Sequence, residues 1–69
     1  MTSNISENIR ILRKNSGMTQ EQLAKRLFIT RQALSNYENG SRLPNLLTAI
    51  AIANVFNISL DILSGRKVK

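Results

Sequence analysis

Apolar residues recur along most of the chain at intervals of three and four, which is the spacing of one face of an α-helix. No stretch alternates between β-branched apolar and polar residues as a half-buried strand would. Capping residues and glycines divide this pattern into five segments. The sequence therefore predicts an all-α fold of five helices with no strand.

Short polar residues stand where each predicted helix begins, and their side chains can accept hydrogen bonds from the free N–H groups there. The predicted caps, in chain order, are Asn4 or Ser6, Thr19, Thr30, Asn45 and Ser59. Three helix ends are marked by Gly17, Gly40 and Gly65. Pro44 breaks the chain before the fourth helix, which is predicted to span Leu46 to Phe56.

The second and third helices are joined by a very short link. Only Phe28 and Ile29 separate the end of one helix from the Thr30 cap of the next, so the two helices must cross steeply. Ala24 provides the small side chain that such a close crossing needs. This arrangement is typical of a helix-turn-helix unit. Four polar residues, spread over roughly 140° of the third helix, face away from its apolar side: Arg31, Gln32, Ser35 and Asn36.

The composition favours a small domain that binds an anionic partner. With 69 residues the chain can form one domain with a small core, predicted over 1–69 with a folded part of about 5–65 and a mobile basic tail at 66–69. Ten Lys and Arg against four Asp and Glu give a net charge of +6. Such an excess is typical of proteins that bind nucleic acid or an anionic membrane, although charge also serves solubility alone.

Several functional classes are disfavoured by the residues present. The chain has no Cys or His to act as base, nucleophile or soft metal ligand, and its four acidic residues are scattered. We therefore expect no enzymatic activity, cofactor, metal or small-molecule ligand. The N-terminal residues do not resemble a signal peptide, and the longest apolar run is too short to span a bilayer. Three aromatic residues are few for a membrane-surface helix. We expect a cytoplasmic protein.

The polar face of the third helix suits the edges of DNA bases. Arg can bind guanine through two hydrogen bonds, and Gln or Asn can bind adenine in the same way. We therefore interpret Gln32 as a base-reading residue and Arg31 as a reader of bases or of a nearby phosphate. Ser35 and Asn36, one turn later, are the next candidates. The alternative is a solvated helix face, which any surface helix has.

The segments TQEQLAKRL and TRQALSNYENG, followed by Pro44 and another helix, resemble the DNA-binding domain of the lambda repressor and Cro (Xre-type) family. The resemblance extends from about Ile5 to Leu63. It implies a compact five-helix domain that binds operators with two-fold symmetry as a dimer, with the third helix in the major groove of double-stranded DNA.

The resemblance also implies roles for individual residues. Gln20 corresponds to a phosphate-binding residue that also braces Gln32, and Arg13 to the partner of Glu38 in a structural ion pair. Helix starts and flanking loops supply phosphate contacts in general. The predicted phosphate-binding set is Thr19, Gln20, Thr30, Asn39, Ser41 and Arg42. The remaining cations Arg10, Lys14, Lys25 and Arg26 are assigned mainly to the general positive field.

Phe28 departs from the family pattern, which usually has Gly in the turn between helices two and three. A side chain at positive φ costs on the order of 1 kcal/mol. Phe28 must therefore either accept this strain and regain it by packing, or the turn must open differently.

The fourth helix is apolar on nearly every side, which is typical of a helix that is fully buried or paired with another chain. One stripe, predicted to face the core, consists of Leu46, Ala49, Ile50, Ala53 and Phe56. A second apolar surface is predicted to form a homodimer interface with residues Leu47, Ala51, Val55, Ile58, Leu60 and Ile62, and Ile52 widens it.

The function expected from these observations is a transcriptional regulator, most simply a repressor, that binds a palindromic operator. The alternative is an antitoxin or a restriction-modification control protein, since such proteins share this fold and many also bind a partner protein. Neither the operator sequence nor the choice between repression and activation follows from the residues.

Overall fold

The computed structural model describes residues 4–65, and within that range it contains five helices and no strand. The helices are α1 (Ile5–Asn15), α2 (Gln20–Leu27), α3 (Arg31–Asn39), α4 (Leu46–Val55) and α5 (Leu60–Ser64). The predicted all-α fold is therefore confirmed. Helix α4 ends one residue earlier than predicted, because Phe56 is its C-cap. The tail predicted to be mobile, 66–69, lies outside the described residues.

All five helices begin at capping residues that the sequence indicates. Asn4 rather than Ser6 caps α1, and its Oδ1 accepts hydrogen bonds from the N–H groups of Ser6 and Glu7. Thr19 and Gln22 form a reciprocal capping box at the start of α2. The other three caps each accept one bond from the N–H group three residues later: Thr30, Asn45 and Ser59.

The core lies where α1, α2 and α3 meet the C-terminal pair of helices. Its buried apolar residues are Ile9, Leu23, Ala24, Leu27, Leu34, Ile52, Ala53 and Leu63. Asn8 is also fully buried, and its Nδ2 donates a 2.9 Å hydrogen bond to the carbonyl oxygen of Leu63. This bond joins α1 to α5 across 55 residues of sequence. The first and last of the described helices therefore pack against each other.

Helix α4 turns part of the predicted face to the core, since Ala49 and Ala53 are buried and Phe56 packs against the core. Ile52 is fully buried, together with Ala49 and Ala53, whereas Leu46 and Ile50 are exposed. The placement of Leu46 and Ile50 in the core was wrong, and so was the placement of Ile52 on the interface side, because a helix that is apolar on nearly every side carries only a weak pattern that selects its buried face. Although α4 is so apolar, none of the helices between residues 4 and 65 is long enough to cross a membrane.

Candidate nucleic-acid interface

The link between α2 and α3 holds the two helices close together. Ala24 is buried, and its carbonyl oxygen accepts a 3.1 Å hydrogen bond from the N–H group of Ile29. Phe28 ends α2 in the left-handed region, with φ 57° and ψ 39°. The chain therefore makes the tight turn that the family usually builds with Gly, and the strain at Phe28 is accepted rather than avoided.

The side chain of Phe28 does not regain this strain by packing, because the residue is 96% exposed. Packing of the side chain, expected as one way to offset the cost, is therefore not found among the described residues. Phe28 is thus both strained and solvated, and it stands two residues before the Thr30 cap of α3.

Helix α3 has a buried side and a polar side. Leu34 and Glu38 are buried, and Tyr37 packs against the core. Arg31 and Gln32 are exposed. Ser35 and Asn36 are half-buried on the next turn. The four residues predicted to read bases are therefore reachable on a helix whose opposite side is fixed in the domain.

Two of these polar side chains are hydrogen-bonded to each other. The Gln32 Nε2 atom donates to the Oδ1 atom of Asn36 at 3.1 Å, across one helical turn. The Asn36 carbonyl oxygen accepts bonds from the Arg42 N–H group at 3.2 Å and from Ser41 Oγ at 3.4 Å. The loop after α3 is thus tied back to the helix, which holds Ser41 and Arg42 near its C-terminal half.

Arg13 and Glu38 form the ion pair that the resemblance implies. Arg13 donates through Nε to Glu38 Oε2 at 2.7 Å and through a terminal nitrogen to Oε1 at 3.1 Å. The other terminal nitrogen of Arg13 donates to the carbonyl oxygen of Met18 at 2.9 Å. Both side chains are largely withdrawn from solvent, with 11% of Arg13 and 3% of Glu38 exposed.

Gln20, the first residue of α2, joins this pair rather than Gln32. Its Nε2 atom donates to Glu38 Oε1 at 3.2 Å. The brace between Gln20 and Gln32 that the resemblance implies does not occur here. The Glu38 carboxylate has more lone pairs than the two Arg13 bonds occupy, and Gln20 provides a further donor. The network fixes the start of α2 against α1 and α3.

A cleft opens beside this network, between α1, the start of α2 and the end of α3. We call it the α1–α3 cleft, and its lining includes Arg10, Lys14, Gln20, Ser35 and Asn39. Arg10 and Lys14 are exposed. Both were predicted to contribute mainly to the general positive field. The spacing of Arg10, Arg13 and Lys14, at intervals of three and four, was the signal that all three share a face of α1.

The other predicted phosphate-binding residues lie at helix ends around the same region. Thr19 and Thr30 use their side-chain oxygens for capping and can still donate through their hydroxyl hydrogens. Asn39 Oδ1 accepts a 2.8 Å bond from the Ser41 N–H group, which orders the turn after α3. Arg42 is exposed in the loop that follows.

The residues predicted to form a dimer interface do not all lie on the surface. Ala51, Val55, Ile58 and Leu60 are half-buried and pack against the chain's own core. Leu47 and Ile62 are exposed, by 78% and 47%. Further large apolar side chains are exposed where the prediction did not place them: Leu43, Leu46 and Ile50. We call Leu43, Leu46, Leu47 and Ile50 the α4 apolar face.

Comparisons with known proteins agree with the arrangement of α2 and α3. A family model described as helix-turn-helix matches residues 9–63. The chain therefore belongs to the helix-turn-helix family, in the lambda repressor-like group that its motifs resemble. The solved structure of the P22 c2 repressor in complex with a synthetic operator superimposes with a TM-score of 0.81 and 29% identity, covering 86% of this chain and 89% of that one.

Curated relatives are named as transcriptional regulators, activators or repressors. An uncharacterized HTH-type transcriptional regulator of Bacillus subtilis, YqaE, is 47% identical over 58 residues, which cover 84% of this chain and 50% of the relative. The activator BcrR of Enterococcus faecalis is 36% identical, covering 91% of this chain and 31% of BcrR. The CTXphi repressor RstR of Vibrio cholerae is also 36% identical, covering 90% and 55%. The chain thus spans about half or less of these relatives.

Proposed function

We propose that this chain is the DNA-binding domain of a transcriptional regulator and that α3 enters the major groove of double-stranded DNA. The observation that carries the proposal is the division of α3, whose buried Leu34 and Glu38 fix it in the domain while Arg31 and Gln32 face outward. A fixed helix with an exposed polar face is what direct base readout requires, because donors and acceptors must meet base edges in a defined geometry.

Base recognition is assigned to the outward side of α3. Arg31 and Gln32 occupy the first turn, which usually lies deepest in the groove. Arg31 suits guanine or an adjacent phosphate, and Gln32 suits adenine. Ser35 and Asn36 reach the neighbouring base pairs from the second turn.

Phosphate binding is assigned to the residues that surround the α1–α3 cleft and the helix starts. The set predicted from the sequence is Thr19, Gln20, Thr30, Asn39, Ser41 and Arg42. Arg10 and Lys14 join it, because their exposed cationic groups line the same cleft as Gln20 and Asn39. Such contacts set the position of α3 in the groove, whereas base contacts provide the sequence preference.

We further propose that the protein binds a palindromic operator as a homodimer. The four residues of the α4 apolar face are uncharged. They lie in the loop before α4 and in the first turns of that helix. A contiguous exposed apolar patch of this kind marks an interaction surface. A second copy is the simplest occupant, since two-fold association would present two α3 helices to one DNA duplex.

Repression is the simplest outcome of such binding, because occupation of an operator needs no further contact surface. The alternative is an antitoxin or restriction-modification control protein, which would use the α4 apolar face for a different protein. The oligomeric state of the isolated chain distinguishes the repressor from the antitoxin or control protein. A concentration-dependent dimer supports the first, and a strict monomer with an open α4 apolar face supports the second.

The test of base readout is the affinity of Gln32→Ala for a preferred duplex, chosen from random sequences, and for a scrambled duplex. We expect the difference in binding free energy between the preferred and the scrambled duplex to shrink by about 1–3 kcal/mol. Asn15→Ala serves as a control, since Asn15 is exposed at the end of α1 and does not line the α1–α3 cleft. An equal loss on both duplexes would show that Gln32 does not read bases.

A further inference from the structure

Gln32 and Asn36 are neighbours on the polar side of α3, four residues apart, and their amide groups are joined. Gln32 Nε2 donates to Asn36 Oδ1 at 3.1 Å. Residues at this spacing face each other on a helix, and a Gln–Asn bond there stabilises the local side-chain geometry. Each amide therefore restricts the orientation of the other before any ligand is bound.

The bond decides which donors and acceptors remain. An amide nitrogen carries two hydrogens, so Gln32 keeps one N–H donor and its carbonyl acceptor. These are the two groups that match adenine N6 and N7. The Asn36 oxygen is partly occupied by the bond, and its Nδ2 group keeps two donors. Donors match acceptors in the major groove: guanine presents two, N7 and O6, and thymine presents O4, whereas adenine presents its N7 acceptor beside the N6 donor.

Gln20, the residue expected to brace Gln32, is engaged elsewhere in this structure. Its amide nitrogen donates to Glu38 in the ion-pair network. The bracing of Gln32 thus comes from its own helix and not from α2. Changes at Gln20 and at Asn36 should for this reason have different effects on sequence preference.

We propose that Gln32 and Asn36 act as one coupled reader of two neighbouring base pairs. Gln32 binds an adenine, held in position by Asn36, and Asn36 donates to guanine or thymine on the adjacent pair. This inference rests on the proposed function, and it adds which base chemistry the site prefers and how the preference is set.

The test is a scan of a preferred duplex in which each position carries each of the four base pairs, bound by the wild type and by four variants: Gln32→Ala, Asn36→Ala, Asn36→Asp and Gln20→Ala. Asn36→Ala removes both the brace and the donor, so preference should weaken by roughly tenfold at its own position and also at the adenine read by Gln32. Asn36→Asp keeps an oxygen for Gln32 and removes the donors. It should retain the adenine preference and shift the neighbouring position towards cytosine, whose N4 group is a donor.

Gln20→Ala is the control, because it removes a contact to Glu38 and leaves the amide pair intact. It should lower affinity for all duplexes by a similar factor with the base preference unchanged. Thermal unfolding of each variant verifies that it is folded.

The outcomes distinguish a failure of the coupled reader from a failure of the proposed function. If Asn36→Ala alters only its own position, or if Gln20→Ala relaxes the adenine preference, the coupled reader is wrong while readout by α3 stands. If neither Gln32→Ala nor Asn36→Ala alters preference at any position, the proposed function fails as well.

Discussion

Arg13 and Glu38 lie 25 residues apart in the sequence and meet through two parallel hydrogen bonds of 2.7 and 3.1 Å. The pair links α1 to the end of α3, and Gln20 adds the start of α2 through its bond to Glu38. One carboxylate therefore sets the relative positions of the three helices that form the candidate interface. Charge-assisted contacts of this two-point kind are geometrically specific.

We expect Arg13→Met to destabilise the fold severely, by roughly 3–5 kcal/mol, because it leaves the nearly buried Glu38 carboxylate without its cation. The free energy of unfolding from urea titration measures the effect. Lys14→Met is the matched control on the same helix, and an exposed position of this kind should change stability by less than about 0.5 kcal/mol. Similar losses in both variants would show that the pair does not stabilise the fold.

Phe28→Gly should stabilise the protein by about 1 kcal/mol, because glycine adopts the left-handed conformation without a Cβ penalty. Phe28→Ala should have little effect, since it keeps the Cβ and removes a side chain that is 96% exposed. Asn57, also at positive φ (54°), provides a comparison. Asn tolerates this region, so Asn57→Gly should gain less. Melting temperatures that rank Phe28→Ala above Phe28→Gly would contradict this account of the strain.

Arg42→Ala should weaken binding to every duplex and reduce the slope of log K against log salt by about 0.9, the value for one phosphate contact. Titrations of one duplex at several salt concentrations give the slope. Arg26→Ala is the control, since Arg26 is exposed at the end of α2 and does not line the α1–α3 cleft. An unchanged slope for Arg42→Ala would reject its phosphate role.

Leu47→Asp should shift a dimer towards monomer, because it places a charge in the α4 apolar face while the core of the monomer is untouched. Leu47 is 78% exposed, so the variant should remain folded. Sedimentation equilibrium measures the association, and Asn15→Asp, exposed at the end of α1 and outside the α4 apolar face, is the control for added charge. If the two variants associate equally, a different surface joins the protomers.

Much of the fold could be predicted from the sequence because its signals are local. The caps Thr19, Thr30, Asn45 and Ser59 all act where short-range rules place them. The buried face of α4 was predicted only in part, since one exposed polar residue, Asn54, is a weak mark of the outer side of so apolar a helix. Ala49 and Ala53 were predicted correctly, but only packing against the other helices selects Ile52 for the core instead of Leu46 and Ile50.

In the candidate site, too, local features could be predicted from the sequence and tertiary contacts could not. The polar side of α3 follows from helical spacing, and it appears as predicted around Gln32. The expected partner of Gln20 was Gln32, but Gln20 donates to Glu38. Which of these residues it meets depends on tertiary packing. The exposure of the Phe28 side chain could not be predicted from the neighbouring residues either, because the same turn accommodates a buried or an exposed side chain.

The most direct test of the central claim is selection of binding sites by the wild-type chain from a pool of random double-stranded DNA. We expect an enriched sequence with two-fold symmetry, whose half-sites lie about 10 base pairs apart, the spacing of two α3 helices in successive major grooves. We also expect Gln32→Ala to lose the consensus at one position of each half-site. A pool that shows no enriched sequence at low salt would contradict the proposal that the polar side of α3 reads DNA.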